Sequence, residues 1–442
     1  TVLFSSLAAL LIFGAPIALC LGISSIAVLL FVEGSPPLNL MARSVVTGAD
    51  SFPLIAVPLF ILAGDLMQQG GLSKRLIDFA ASLVGHIKAS LCYINVLASV
   101  FFSAISGSAP ATVAAIGSNL IPAMRKQGYK TEYSAALTAA SGIIGVMIPP
   151  SIPFIIYGVT AEASIGKLFL AGVIPGIIFG IFFMALSRYL SRNIPVQGDA
   201  TKADSGTAGE SSITEGKVAE SNLSESDAGN SKPASGKDVK TELRNSIWAL
   251  IVPVIILGGI YGGIFTPTEA GAVAVVYAMV IGVFVYKDIT LKDLPRIFAK
   301  SSLTSGSILV LIIFATTFGR LITLERIPTE LAGWLVTVSE NPIMVLLLIN
   351  LMLLIVGMFM ETISSIIILT PILLPVAKSF GVDPIMFGVI ITVNLAIGFC
   401  TPPLGVNIFV ASQISGVGIE KISKELLPFL AGMLVLLLLI TF

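Results

Sequence analysis

The sequence has little charge, one histidine and few cysteines. Charged residues make up 11% of it, with 25 Lys and Arg against 25 Asp and Glu. The formal net charge is therefore zero, and no nucleic-acid partner is implied. The single histidine, His86, stands in a polar segment, so no HExxH zinc site exists. No GxxxxGK[ST] phosphate loop occurs either, so the chain does not drive work with a nucleotide of its own. The three cysteines, Cys20, Cys92 and Cys400, lie in apolar runs and read as small core residues. The N-terminus has no basic region and no cleavage-like site ahead of a polar domain, so no signal peptide is read.

What fills the chain instead is apolar. Hydrophobic residues make up 55% and the mean hydropathy is +0.99, the composition of an all-α polytopic membrane protein. A helical span needs about 20 apolar residues, and many such runs alternate here with short polar segments. Apolar segments run from Leu3 to Phe13, Pro16 to Phe31, Phe52 to Met67 and Leu168 to Leu190 in the first part. In the last part they run from Ile247 to Phe265, Ala270 to Tyr286, Ser302 to Leu321 and Leu426 to Phe442. Glu33 to Asp50 reads as a loop. The stretch after Ser73, read as a helix cap, has one apolar face and Lys74, Arg75 and Asp78 on the other. That pattern predicts a helix along the interface. PTELAGWLV from Pro328 resembles it, and LKDLPRIFAK reads as a separate basic amphipathic piece.

Two spans are broken. Residues 131–160 contain SGIIGVMIPPSIPFIIYG, with Pro149, Pro150 and Pro153, and residues 384–413 contain NLAIGFCTPPLGVNIFVAS, with Pro402 and Pro403. Proline removes a backbone donor and clashes with the preceding turn, so neither helix runs through. The freed carbonyls and amides need partners that lipid does not offer, so each break must face protein or a polar cavity. Ahead of each break lies a hairpin candidate: residues 89–126 around SAISGSAPAT, and residues 342–378 around GMFMETISS.

These features recur at a nearly constant offset. Pro122 and Pro375, Gly128 and Gly381, Gly145 and Gly398, and Pro149 and Pro402 are each 253 positions apart, as subtraction of the numbers gives. Residues 1–192 and 246–442 thus read as two repeats of five spans and one hairpin. The segment 193–245, rich in Ser, Gly, Ala, Asp, Glu, Lys and Thr, reads as a disordered polar linker. Five spans is odd, so the second repeat enters the membrane inverted. The charges agree. Lys74, Arg75, Lys88, Arg125, Lys126 and Lys130 surround the first hairpin against Asp78 and Glu132. Arg326 and Lys378 surround the second against Glu325, Glu330, Glu340 and Asp383. The first hairpin is expected to open to the cytoplasm and the second to the periplasm. Inverted repeats with opposed hairpins make a secondary-transporter plan.

Two tips and two breaks would meet near the midplane, where hydroxyl and carbonyl oxygens suit a hard cation such as sodium. In the first repeat the candidate ligands are Ser103, Ser106, Gly145, Ile148 and Pro150. In the second they are Gly357, Thr362, Gly398, Thr401 and Pro403. The structural alternative is that these small residues merely let helices pack closely. Half-helix N-termini suit an anionic substrate, with Ser151 and Asn407 as donors beside Ser106. Glu361, in the second tip, is a costly carboxylate at depth and a further substrate or proton candidate. A serine-protease reading of SAISGSAP fails for want of a base within reach.

FPLIAVPLFILAGDLM, SGSAPAT, IPPSIPFIIYG, the second tip and TPPLGVNIFVAS together resemble the large membrane subunit of tripartite ATP-independent periplasmic (TRAP) transporters. The resemblance covers nearly the whole chain outside the linker. It implies an elevator-type carrier of the ion-transporter superfamily in a bacterial inner membrane, coupled to sodium. It also implies two partners: a small (Q-type) membrane subunit, and a periplasmic (P-type) binding protein that delivers a small organic acid. Sialic-acid members of the family would hold substrate near Ser106, Ser151 and Glu361. C4-dicarboxylates, or a stand-alone carboxylate carrier, are the alternatives. The linker is longer than the family's usual connection, and the small subunit is expected as a separate polypeptide.

Overall fold

In a medium without water, an apolar run satisfies its backbone most simply as a helix, and that is what these runs do. A computed structural model describes every residue except 1, 33–37, 51, 88, 192–238, 339, 340, 403 and 404. The expected ligand Pro403, the flanking Lys88 and most of the expected linker lie outside the described residues. Among those described there is helix and no strand. Eight helical stretches are long and apolar enough to cross a membrane: Phe52–Gln69, Ile165–Leu190, Val239–Tyr261, Pro267–Val285, Leu294–Leu324, Pro342–Phe359, Thr362–Ser379 and Ile419–Thr441.

The first repeat opens with α1 (Val2–Ile12), α2 (Ile17–Phe31), α3 (Leu38–Ala49), α4 (Ala56–Gln69) and α5 (Leu72–Val84). A hairpin follows, α6 (Ser90–Ser106) and α7 (Ala109–Lys126). Then come the broken pair α8 (Thr131–Gly142) and α9 (Ile152–Thr160), and the long α10 (Ile165–Leu190). The second repeat comprises α11 (Val239–Tyr261), α12 (Pro267–Val280), α13 (Leu294–Leu324) and α14 (Ile327–Val338). Its hairpin is α15 (Pro342–Phe359) and α16 (Thr362–Ser379), its broken pair α17 (Pro384–Gly398) and α18 (Val406–Ser415), and α19 (Ile419–Thr441) ends the series. The second hairpin arms begin at 109 and 362, and the broken helices at 131 and 384 (362 − 109 = 253; 384 − 131 = 253).

Four local expectations change. The residues read as a loop between Glu33 and Asp50 include α3, which lies against α13. Ser73 does not cap α5. Gly71, at φ 68, takes the turn that only glycine adopts cheaply, and Ser73 is already helical. The basic LKDLPRIFAK is not a separate piece, since α13 runs unbroken from Leu294 through the span. Residues 239–245, read as linker, form the first turns of α11, and Ser246 Oγ donates to the Arg75 carbonyl at 2.8 Å.

The repeats exchange partners. Arm α7 packs on α18, and arm α16 on α9; likewise α19 packs on α8 and α10 on α17. Around this inner set, α4 packs on α12 and α13 on α2. Among the described residues, three ion pairs join the repeats: Arg75–Asp288 at 2.6 Å, Lys300–Asp65 at 3.2 Å and Lys130–Glu425 at 3.8 Å. Arg75 also lies 3.7 Å from the Tyr286 ring centroid, and Ser301 Oγ donates to Asp65 at 2.6 Å. The first and third pairs bring Arg75 and Lys130 to Asp288, beside Lys287, and to Glu425, beside Lys421 and Lys424, segments whose lysines the positive-inside rule likewise assigns to the cytoplasm. At the start of α12, Thr266 and Glu269 form a reciprocal cap.

Buried amides tie the helices inside each repeat. Asn95 Nδ2 donates to Thr138 Oγ1 at 2.7 Å, joining α6 to α8. Asn394 Nδ2 donates to Asn350 Oδ1, and Asn350 Nδ2 donates to Thr441 Oγ1 at 3.1 Å, joining α17, α15 and α19. Such interhelical bonds contribute about 0.6–2 kcal/mol in lipid, and a buried partner left alone costs more than the pair gains. Asn350→Leu is therefore expected to lower stability by about 1–2 kcal/mol. The double variant Asn350→Leu/Asn394→Leu should lose less than the single one, because no amide is stranded. Thermal unfolding of the purified variants in one detergent measures both.

Candidate functional site

Each broken helix stops where its proline pair removes donors and steric room, and each gap receives the tip of a hairpin. In the first repeat, tip residue Gly107 sits at φ 60, and a Cβ there would lie 2.5 Å from the Pro150 carbonyl oxygen. The Ile152 amide, freed at the break, donates to the Gly107 carbonyl at 3.4 Å. From the other side Gly145 closes on the same tip. A Cβ on Gly145 would lie 2.6 Å from Thr112 Oγ1 and 2.7 Å from the Ser108 carbonyl oxygen. Ser106, Gly145 and Pro150 are thus brought together, with Thr112 and the Ser108 carbonyl added.

The hydroxyls here follow one rule. Ser103 Oγ donates to the Ser99 carbonyl, and Thr112 Oγ1 donates to the Ser108 carbonyl at 2.8 Å. Ser151 Oγ donates to the Val146 carbonyl at 2.6 Å while it accepts from the Phe154 amide at 3.4 Å, capping α9. Ser106 Oγ lies 3.0 Å from Thr112 Oγ1. Ser151 is fully buried, and its proton is committed to its own chain, so in this conformation it does not donate to a carboxylate. Ile148 is buried, and its side chain packs toward Gly176 on α10.

The second repeat repeats the seating with glycine on glycine. A Cβ on Gly398 would lie 2.4 Å from the Gly357 carbonyl carbon, and one on Gly357 would lie 3.2 Å from the Leu395 Cα. Thr362, buried at the start of α16, has a hydroxyl with no hydrogen-bond partner. Thr401 Oγ1 donates to the Ile397 carbonyl at 2.9 Å. Glu361 is the N-cap of α16 and accepts from the Ser364 amide at 3.2 Å; the residue is accessible at the hairpin tip.

Asn407 crosses the repeat boundary. It follows the second break, yet its Nδ2 donates to the Ala139 carbonyl on α8 at 3.0 Å and lies 3.3 Å from where a Gly142 Cβ would be. Its Oδ1 is buried with no partner. Cys400 Sγ donates to the same carbonyl at 3.2 Å. Thr112 escaped the sequence reading although it stands in SGSAPAT. Its one signal was a hydroxyl in the first turn after the tip, six residues past Ser106.

The donor set has a chemical identity. Among the described residues no group of three or more His, Cys, Asp or Glu can hold a metal. Neutral hydroxyls and carbonyls beside a break suit a hard monovalent cation, and the unpartnered Thr362 hydroxyl is a ready ligand.

Comparison with known proteins gives a consistent family. A family model described as the tripartite ATP-independent periplasmic transporter, DctM component, matches residues 4–442. The isethionate TRAP transporter permease protein DctMQ of Oleidesulfovibrio alaskensis is 45% identical over 444 residues; the match covers 100% of this chain and 64% of that protein. The C4-dicarboxylate TRAP transporter large permease protein DctM of Rhodobacter capsulatus is 38% identical, covering 100% of this chain and 96% of its own. The sialic acid TRAP transporter large permease protein SiaM of Vibrio cholerae is 37% identical, covering 98% and 93%. The crystal structure of the Alcanivorax borkumensis YdaH transporter shares the fold, with a TM-score of 0.62 at 15% identity over 93% of this chain and 89% of that one.

The close backbone approaches make a direct prediction. Gly398→Ala is expected to unseat the second tip, since the atom it meets is backbone and cannot rotate away. Gly306→Ala, with nothing within 4 Å, is the control. A cysteine placed at Met360 should then react with a maleimide several-fold faster in the Gly398→Ala background and unchanged in the control. The three native cysteines are buried and contribute little background.

Proposed function

Because the chain belongs to the DctM-component family of tripartite ATP-independent periplasmic transporters, we propose that it is the membrane carrier of a sodium-coupled, binding-protein-dependent importer of a small organic anion. Its family makes it a transporter permease rather than an enzyme, multi-pass in a bacterial inner membrane. The observation that carries the sodium reading is the seating of each hairpin tip in a helix break, lined by neutral oxygens with an unpartnered threonine hydroxyl among them.

In this reading the two hairpins and two broken helices move as one body, and the remaining helices form the scaffold, an elevator. The exchanged packing of α7 on α18 and α16 on α9 supports a single inner body. The Arg75–Asp288 and Lys130–Glu425 pairs support the proposed sidedness, with the first hairpin open to the cytoplasm and the second to the periplasm. Sodium would sit on Ser103, Ser106, Gly145, Ile148 and Pro150 in one repeat. In the other it would sit on Gly357, Thr362, Gly398, Thr401 and Pro403. When bound, it neutralises oxygen dipoles beside an incoming anion. Asn407 directs its amide protons at the Ala139 carbonyl and Cys400 Sγ, so like Ser151 it would release a partner in order to donate to substrate. Glu361, exposed at its tip, suits a substrate hydroxyl or amine.

The substrate class follows from the relatives, whose names give isethionate, C4-dicarboxylates, sialic acid and 2,3-diketo-L-gulonate. All are small oxygen-rich anions. Sialic acid, the expectation from the motifs, is one arm of the test. The 45% identity to the isethionate relative favours a small hydroxy-sulfonate as the second. That relative's name joins M and Q, which supports a small membrane subunit beside this one; a periplasmic binding protein completes the system.

Proteoliposomes with the chain, its small subunit and the binding protein should accumulate one labelled acid of this panel. Accumulation should require an inward sodium gradient and stop without the binding protein. Uptake without either requirement would refute the coupled, delivered mechanism. Ser106→Ala and Thr401→Ala are expected to lower uptake at least about tenfold at unchanged expression, the loss of one charge-assisted ligand. Wild-type uptake in both would remove the proposed cation sites.

A further inference from the structure

Four hydroxyls around the first break, those of Ser103, Ser106, Thr112 and Ser151, make hydrogen bonds whose directions can be worked out. A hydroxyl carries one proton and two acceptor positions. Thr112 Oγ1 lies 2.8 Å from the Ser108 carbonyl, which only accepts, so the Thr112 proton goes there. The Thr112 oxygen is then an acceptor toward Ser106 Oγ, 3.0 Å away. The Ser106 proton has two destinations, Thr112 at 3.0 Å and the Ser108 carbonyl at 3.4 Å. The second is long for an O–H···O bond and faces an oxygen already served by Thr112. The Ser106 proton therefore points at Thr112. The protons of Ser103 and Ser151 are committed to the Ser99 and Val146 carbonyls.

We infer that Thr112 is a positioning residue. By holding the Ser106 proton it turns a Ser106 lone pair outward as an acceptor, beside the one that the Ser108 amide approaches at 3.5 Å, so that these four hydroxyls present lone pairs alone. None of the four has a proton left for a carboxylate, so Ser106 serves the ion and not the acid. Gly145 holds the arrangement from the far side, because any side chain there would collide with Thr112 Oγ1 and the Ser108 carbonyl. The inference rests on the sodium reading proposed above.

The test uses the purified full-length chain and its thermal unfolding midpoint, titrated with sodium chloride against choline chloride. Wild type should be stabilised by sodium and not by choline. Thr112→Val keeps the shape without the hydroxyl, and Thr112→Ala serves equally should the valine crowd Gly145. Either should raise the half-saturating sodium concentration about fivefold to tenfold, the worth of one oriented hydrogen bond. Thr112→Ser should restore it. A purely structural role for Thr112 would lower the sodium-free midpoint and leave the half-saturating concentration in place, which overturns the inference while the sodium reading stands. A wild-type protein with no sodium-specific stabilisation overturns both.

Discussion

A helix interrupted inside a bilayer leaves backbone groups that lipid does not solvate, and the inner half of this protein is arranged around satisfying them. At the first break the Ile152 amide reaches the Gly107 carbonyl and the Ser151 hydroxyl reaches the Val146 carbonyl. At the second the Asn407 amide donates to the Phe399 carbonyl at 3.1 Å, and the Asn407 side chain reaches back to Ala139. At the first break the hairpin tip is a plug in a physical sense, its Gly107 carbonyl supplying a contact that an unbroken helix would have made for itself. Glycine at 107, 145, 357 and 398 makes the fit possible, since each stands where a methyl group would meet other atoms at close range.

The same constraint explains why the two repeats are interleaved rather than side by side. Each second arm lies on the half-helix of the other repeat, and the Asn407 carboxamide spans the boundary. Ion pairs also link the repeats. These pairs are partly exposed and contribute modestly, with the Arg75–Asp288 side chains 25% and 39% exposed. The strength of the assembly comes from packing and from the buried amides.

Much of the plan was legible from residue order. Proline pairs, the spacing of glycines and the run lengths pointed to helices, hairpins and breaks. Two site residues per repeat on tip and break, Ser106 with Gly145 and Gly357 with Gly398, do lie against each other or share one neighbour. Misread were features whose cause lies elsewhere in the chain. Residues 239–245 look like linker because they are polar, yet they sit as helix where Ser246 meets the Arg75 carbonyl. Ser73 looks like a cap because serine often is one, yet Gly71 turns the chain there first. Thr112 looks like one small residue among several until the fold brings Gly145 over it.

Composition and periodicity alone determined that this chain is a multi-span helical membrane protein with two copies of one interrupted plan, because length, apolarity and proline act locally. The motifs added the family. Only the tertiary structure decided which groups share a proton, that Ser151 and Glu361 serve as helix caps, and that Asn407 belongs beside α8. Hydrogen-bond direction depends on which acceptors stand within about 3 Å, and that is a matter of packing across more than two hundred residues rather than of neighbours along the chain.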